Sequence, residues 1–237
     1  MMREALLLVL EGLTPFADAW ALQRRLVAAR QQGIISDVVI LLEHQPVLTI
    51  GRSGGPGHLL VPRDLLAERG VEVHDIERGG GATYHGPGQL VAYPILDLRA
   101  LDEDVVRFMR ALEESIIRTV ADFGITGSRR RGFPGVWVGE AKIAAVGVAV
   151  KRRVTMHGMA LNVTTDLEPF TWINPCGLGR PVTSMAQTLG REVARAEVAD
   201  AYARRFVEVY SLHLTPVARE DVEQRLTALA VSGAVVS

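Results

Sequence analysis

Arg78-Gly79-Gly80-Gly81-Ala82-Thr83-Tyr84-His85-Gly86-Pro87-Gly88-Gln89 stands between two strand-like runs, Val71 to Ile76 before it and Leu90 to Leu96 after it. Three successive glycines remove every Cβ from that part of the main chain. The backbone can then reach positive φ, and a substrate can lie directly against peptide groups. Arg78, Thr83, Tyr84, His85 and Gln89 edge the glycines with donors and acceptors. Two readings are open at this point: one wall of a binding site, or a hairpin loop whose glycines only make a turn. The spacing does not fit the familiar phosphate loops. No G-x-x-x-x-G-K-[ST] occurs, and Tyr84 stands where the third glycine of G-x-G-x-x-G would fall.

Upstream of this stretch, Ala5 to Leu10 reads as a first strand; it is too short for a membrane span, and no small-residue cleavage site follows it. Thr14 is placed to cap a helix with Pro15 in its first turn. Phe16, Trp20, Gln23 and Val27 then fall on one face, with Ala19, Leu22 and Leu26 beside them, and Phe16 and Trp20 read as core rather than as cofactor contacts. Asp37 to Leu42 and Val47 to Ile50 are short strands, with His44 and Arg52 at strand ends near glycines. Pro62 to Arg69 reads as a short helix stopped at Gly70.

Downstream, a helix is expected from about Asp104 to Phe123, with Val105, Phe108, Met109, Leu112, Ile116 and Val120 as its apolar stripe. Arg129-Arg130-Arg131 reads as a solvated loop. Three strands follow closely, Val136 to Val138, Lys142 to Val150 and Val154 to Val163, and then helices at Thr183 to Leu189, Ala196 to Leu212 and about Arg219 to Ala230. Strands crowd the middle and helices flank it without strict alternation. The expected class is therefore α/β of the α+β type, a mixed, largely antiparallel central sheet with helices packed on it.

The chain has 237 residues, 48% of them hydrophobic, and a formal net charge of -1. One domain spanning 1–237 is the simplest account. The balance of charge offers no global field for nucleic acid, and no membrane partner is expected. A single cysteine rules out an intrachain disulfide framework and a cysteine-based zinc site, and fits a cytoplasmic protein.

That cysteine, Cys176, lies in the turn Asn174-Pro175-Cys176-Gly177-Leu178-Gly179. It reads either as a small buried hydrophobe or as a nucleophile. A nucleophile needs help, because the thiolate is the reactive form and a free thiol titrates near ~8.5. Lys142 is the candidate helper. Period-two alternation along Lys142-Ile143-Ala144-Ala145-Val146-Gly147-Val148 puts it on one face with Ala144, Val146 and Val148. Burial there would lower its pKa and make it a usable base; at the strand's mouth it would instead snorkel to water. Gly147 and Gly158, both inside strands, each call for the close approach of a ligand or another backbone.

Taken together, the glycine stretch, then Gly139-Glu140-Ala141-Lys142-Ile143-Ala144-Ala145-Val146-Gly147-Val148, then Met156-His157-Gly158-Met159-Ala160-Leu161-Asn162-Val163, then Pro175-Cys176-Gly177 closely resemble the lipoyl(octanoyl) transferase family, the octanoyl-acyl-carrier-protein:protein N-octanoyltransferases. The four motifs stand in the family's order, and the likeness runs from near residue 5 to about residue 212, leaving 213–237 uncovered. The resemblance implies the biotin/lipoate protein ligase catalytic-domain fold. It implies transfer of an octanoyl group from octanoyl-acyl carrier protein to a lysine on lipoyl domains of 2-oxoacid dehydrogenases and on the glycine cleavage H protein. It assigns Cys176 as the acyl-thioester nucleophile and Lys142 as the group that activates it. The matching substrate-binding segments are Arg78, Gly79, Gly80, Gly81, Ala82, Thr83, Tyr84 and His85; Ala145, Val146 and Gly147; and Gly158, Met159 and Ala160. Met159 stands where the family often has phenylalanine, and Asn174 where an aliphatic residue is common.

The implied mechanism has two half-reactions on one nucleophile and hence ping-pong kinetics, with an oxyanion stabilised by backbone N–H groups near Gly147. Thioester exchange is nearly isoenergetic and thioester-to-amide transfer is downhill, so neither ATP, a metal nor another cofactor is expected. Two other readings compete. An ATP-dependent lipoate–protein ligase of the same fold would need no cysteine, and a non-catalytic lipoyl-domain-binding protein would never become acylated. The clusters Arg129-Arg130-Arg131 and Lys151-Arg152-Arg153, which flank the Lys142 strand, are the two candidate docking patches for acidic protein partners.

Overall fold

The computed structural model describes residues 3–174 and 180–233. In chain order the elements are β1 (Arg3–Thr14), α1 (Phe16–Gln31), β2 (Asp37–His44), β3 (Val47–Ile50), α2 (Arg63–Glu68), β4 (Glu72–Asp75), β5 (Ala82–His85), β6 (Gln89–Ile95), α3 (Val105–Ala121), β7 (Ser128–Arg130), β8 (Phe133–Val138), β9 (Ala141–Lys151), β10 (Val154–Asn162), α4 (Met185–Leu189), α5 (Arg195–Tyr210), β11 (Leu212–Pro216) and α6 (Arg219–Gly233). An eight-stranded sheet runs β11-β1-β2-β6-β10-β9-β8-β7, and a separate three-stranded sheet runs β4-β3-β5. In the large sheet β11 and β2 pair with β1 in parallel, and every other neighbour pair is antiparallel. This is the mixed, largely antiparallel class read from the sequence, with a second sheet added.

Both faces of the large sheet are covered, which is why its central strands are buried along their whole length: every residue of β6 and of β10 is buried. On one face Phe108, Leu112, Ile116 and Val120 of α3 and Tyr202 and Phe206 of α5 pack onto Leu90, Met159 and Leu161. On the other, Leu22 and Leu26 of α1 and Val222 and Leu226 of α6 pack onto Ile40, Val91 and Ala160. Each large apolar side chain fully buried in this way contributes roughly 1.5–3 kcal/mol relative to exposure. Asp104 caps α3, its carboxylate accepting from the N–H groups of Val106 and Arg107. The expected cap at Thr14 is not made. Thr14 is the last residue of β1, and its carbonyl accepts from Gln45 N–H and bonds His44 Nδ1, while Pro15 takes the N-cap position without a side-chain bond.

Two features of β9 shape the site. First, β8 pairs with β9 only over Ala141 to Ala144, so among the described residues the edge of β9 beyond Ala144 has no strand beside it. The glycine loop comes to that edge instead, Gly79 N–H donating to Val148 O at 3.0 Å. Alternate residues turn their peptide groups the same way, so Val146 presents its N–H and C=O on this edge too. Second, the register slips between Val136 and Trp137: Val136 stands opposite Ala144, yet Trp137 stands opposite Lys142. Adjacent strand residues point to opposite faces, and directly opposed residues share one. Lys142 therefore leaves the face of Ala144, Val146 and Val148 and joins that of Ala145 and Gly147. The alternation read from the sequence fails here because a bulge consumes one residue.

Candidate active site

A cavity of about 310 Å³ opens beside β9, lined by the glycine loop, by Ala144 to Val148, by Gly158 to Ala160 and by Phe16, His85, Tyr93 and His157. Pro134, Lys142 and Val182 line it as well. Its surface is dominated by aliphatic and backbone groups, the chemistry that accepts an acyl chain.

Of the residues singled out in the sequence, Arg78, Gly79, Gly80, Gly81, Ala82, Thr83, His85, Lys142, Ala145, Val146, Gly147, Gly158, Met159 and Ala160 all border this cavity. Tyr84 does not. β5 is a strand, so Tyr84 alternates away from Thr83 and His85 and packs edge-on against Phe170, with 5.6 Å between ring centroids. Cys176 lies in 175–179, outside the described residues. The chain on either side of that turn is well anchored. Asn174 N–H donates to His58 O at 3.0 Å, Lys142 N–H donates to Pro181 O at 2.9 Å, and Thr183 N–H donates to Lys142 O at 2.9 Å. Val182 thus pairs with Lys142 in a parallel bridge.

Lys142 is half-buried. Its Nζ donates to Pro134 O at 3.1 Å and sits 4.9 Å over the Trp137 ring. Arg78 is buried: Nη2 donates to Thr49 O at 2.7 Å and to Thr49 Oγ1 at 2.9 Å, and Nη1 donates to Gly79 O at 3.0 Å. Its guanidinium thus ties β3 to the glycine loop. Thr49 carries no sequence signal of this role. Gly147 fits closely into that arrangement: a Cβ there would stand 3.2 Å from both Arg78 Cδ and Gly79 O, tight enough to make one of them give way. Gly158 answers to a different neighbour, since its Cβ would run into the carbonyl oxygen of Ala92 on β6. Close approach of backbone, rather than of ligand, explains it.

A polar cluster stands behind the cavity, reaching its lining at His85, Tyr93 and His157. Glu77, the residue before the glycine loop, accepts from Trp20 Nε1 at 3.1 Å and Lys151 Nζ at 2.9 Å, with His157 Nε2 at 3.6 Å. The His157 imidazole and the Lys151 ammonium hold its carboxyl far below the usual carboxylate range. His44 bonds Thr14 O and the Tyr93 hydroxyl, at 2.9 and 2.7 Å. Burial brings His44 down to about 4; burial, then the neighbouring His44, brings His85 down to about 3. Burial also lowers His157, against the pull of Glu77. His44 and His85 are thereby kept neutral in the folded protein near neutral pH. As pH falls below about 6.5, the unfolded chain takes up protons that the folded one refuses, so stability falls until the folded values are reached. His44 and His85 together predict a loss of about 3 kcal/mol between pH 6.5 and pH 5. Urea midpoints measured across pH 5–7 should drop toward the acid side, and His85→Gln should flatten the slope. A midpoint constant over that range would mean that the histidines are not buried in neutral form.

Residues 15–207 match the family model described as the lipoyl protein ligase A/B catalytic domain. The octanoyltransferase of Solibacter usitatus is 48% identical over 205 residues, covering 86% of this chain and 93% of its own. That of Roseiflexus sp. is 45% identical over 231 residues, covering 90% and 96%. Among solved structures, the bi-partite lipoate protein ligase from Thermoplasma acidophilum superposes with a TM-score of 0.72 at 21% identity, covering 97% of this chain and 92% of that one. This last likeness is one of fold.

Proposed function

The chain belongs to the family of lipoyl protein ligase A/B catalytic domains, and we infer from that membership and from the site that it is an octanoyltransferase of protein lipoylation. In this reading the whole chain, 1–237, is the catalytic unit, since β11 pairs with β1 and Val222 and Leu226 of α6 belong to the core. The acyl donor is octanoyl-acyl carrier protein and the acceptor is a lysine of a lipoyl domain.

The observation that carries the mechanism is the pairing of Pro181–Thr183, the chain leaving the cysteine turn, with Lys142 at an acyl-sized apolar cavity. Cys176 attacks the octanoyl thioester, backbone N–H groups along the cavity stabilise the oxyanion, and the carrier's thiol leaves. The acceptor lysine then attacks the enzyme thioester, and Lys142 takes its proton. Intact-protein mass spectrometry after treatment with octanoyl-acyl carrier protein tests this directly, with one hydroxylamine-labile octanoyl group expected. Product formed from free octanoate, ATP and magnesium in place of the carrier would favour the ligase reading instead.

The docking patches are narrower than the sequence suggested. Arg129 is engaged by Glu113 and Glu114 of α3, Lys151 by Glu77, and Arg153 by Glu103. Around Lys142 a different group remains. Arg130 and Arg180 share the single carboxylate of Glu140, Arg130 lies over Trp137 and Arg180 over Phe133, and exposed Arg131 makes no ion pair among the described residues. We assign this cationic rim to the acidic surface of the protein substrates. Rim charges act mainly on encounter rate and are screened by salt. Arg130→Glu with Arg131→Glu should lower kcat/KM for the carrier-bound donor about 10-fold at low ionic strength. A small octanoyl thioester donor should be nearly unaffected. Equal kcat/KM for variant and wild type with the protein donor at low salt would exclude the rim as a docking site.

A further inference from the structure

Gln89 and Asn162 stand opposite each other in the β6–β10 register, and both are buried. Gln89 Nε2 donates to Tyr84 O at 3.3 Å and to Asn162 Oδ1 at 2.9 Å, and Gln89 Oε1 lies 2.8 Å from His85 Nδ1. A carbonyl can only accept, so Tyr84 O fixes which end of the Gln89 amide is nitrogen. The oxygen then faces His85, whose Nδ1 must carry the proton. Asn162 is oriented in turn: its oxygen meets Gln89, and its Nδ2 donates to Thr183 O at 3.0 Å. A chain of hydrogen bonds with one fixed sense therefore runs His85, Gln89, Asn162, Thr183. It ends on the residue whose N–H donates to Lys142 O, two residues after the one that accepts from Lys142 N–H.

We propose that Gln89 and Asn162 are positioning residues, which hold Pro181–Thr183 in register with Lys142 and so set how the chain leaving the cysteine turn meets the lysine. The inference rests on the pairing of Cys176 with Lys142 proposed above. A fully satisfied buried network specifies one arrangement of the segments it joins, whereas apolar side chains of the same volume would fill the space without fixing it. The order of the chain also makes it sensitive to a single atom. Gln89→Glu keeps the acceptor for His85 but replaces the donor by an oxygen. Asn162 must then turn its nitrogen to Glu, which leaves its oxygen against Thr183 O.

The test uses Gln89→Glu and Asn162→Leu in the full chain, with folding checked by circular dichroism. In both, single-turnover acylation should fall about 100-fold, the cost of roughly 1 Å of misplacement, while KM for the donor stays close to wild type. Because Cys176 is the only cysteine, iodoacetamide alkylation against pH reads its thiol without any acyl substrate. The midpoint should move up toward the free-thiol value of about 8.5 in both variants. If the alkylation midpoint moves but the wild-type protein accepts no octanoyl group, the positioning role stands and the octanoyl reading fails. Folded variants with wild-type acylation and a wild-type alkylation profile would overturn the positioning role. Should Asn162→Leu fail to fold, Gln89→Glu, which preserves shape, decides alone.

Discussion

Cys176→Ala is expected to keep the fold and to transfer no octanoyl group at all. Pro175-Cys176-Gly177 lies in sequence between two stretches anchored by backbone hydrogen bonds, Asn174 to His58 and Pro181–Thr183 to Lys142. Those anchors need no side chain, so losing the sulfur is expected to remove chemistry rather than support. Without a nucleophile, the two half-reactions have no shared intermediate, and direct attack of a protein lysine on the carrier thioester would need both proteins at the cavity together. Cys176→Ser should also be inactive in practice, since an alcohol is far harder to ionise than a thiol titrating near ~8.5. The measurement is octanoyl transfer to a lipoyl domain beside the mass of the enzyme. Because the chain has one cysteine, a lost adduct in the alanine variant assigns the site without peptide mapping. Normal turnover by Cys176→Ala would end the nucleophile assignment.

Lys142→Ala should fold and lose about 10²- to 10⁴-fold in kcat, the usual cost of removing a general base. Lys142→Arg separates proton transfer from the other things Lys142 does. A guanidinium can still lie over Trp137 and still carries positive charge, but it stays protonated and cannot accept a proton from the incoming amine. The arginine variant should therefore form the acyl-enzyme better than it passes the acyl group on. Rapid-quench analysis of the two half-reactions checks this. Wild-type rates in both half-reactions for Lys142→Arg would reduce Lys142 to a fixed charge.

The helical periodicity of Val105 to Val120 was legible in the sequence because it depends only on residues near one another, and the structure places α3 within two residues of the expected ends. What was not legible depended on partners far along the chain. Ala82–His85 read as loop because three glycines precede it, yet it pairs with β3 to build a second sheet. Arg129 read as solvated, yet it belongs to β7 and is held by Glu113 and Glu114 of α3. The lack of Cβ atoms in the glycine loop left a binding wall or a plain turn open, and the loop lines the cavity. The bonds that hold that wall, from Arg78 to Thr49 and from Glu77 to Trp20 and Lys151, carry no local pattern. The amide pair Gln89 and Asn162 needs the β6–β10 register, which no single strand reveals. Cys176 lies outside the described residues, so its assignment rests on its motif and on the anchored chain beside it.

The slip between Val136 and Trp137 also bears on how this segment tolerates changes in length. The direction in which Lys142 points is decided by a count: one more residue on β9 than on β8 between Ala144 and Lys142. Deleting Ile143 would restore equal spacing and leave the lysine on the side of the sheet it occupies now, because it would then stand directly beside Ala144. Insertion of one residue before Trp137 would also even the count, but it would carry Lys142 to the face of Ala144 and away from that of Ala145 and Gly147 while leaving every side chain of the site intact in name. Substitutions across Gly135 to Lys142 change sizes and charges, but a single-codon insertion or deletion there changes parity. Length in this hairpin is therefore as much a part of the active site as the identity of the lysine it aims.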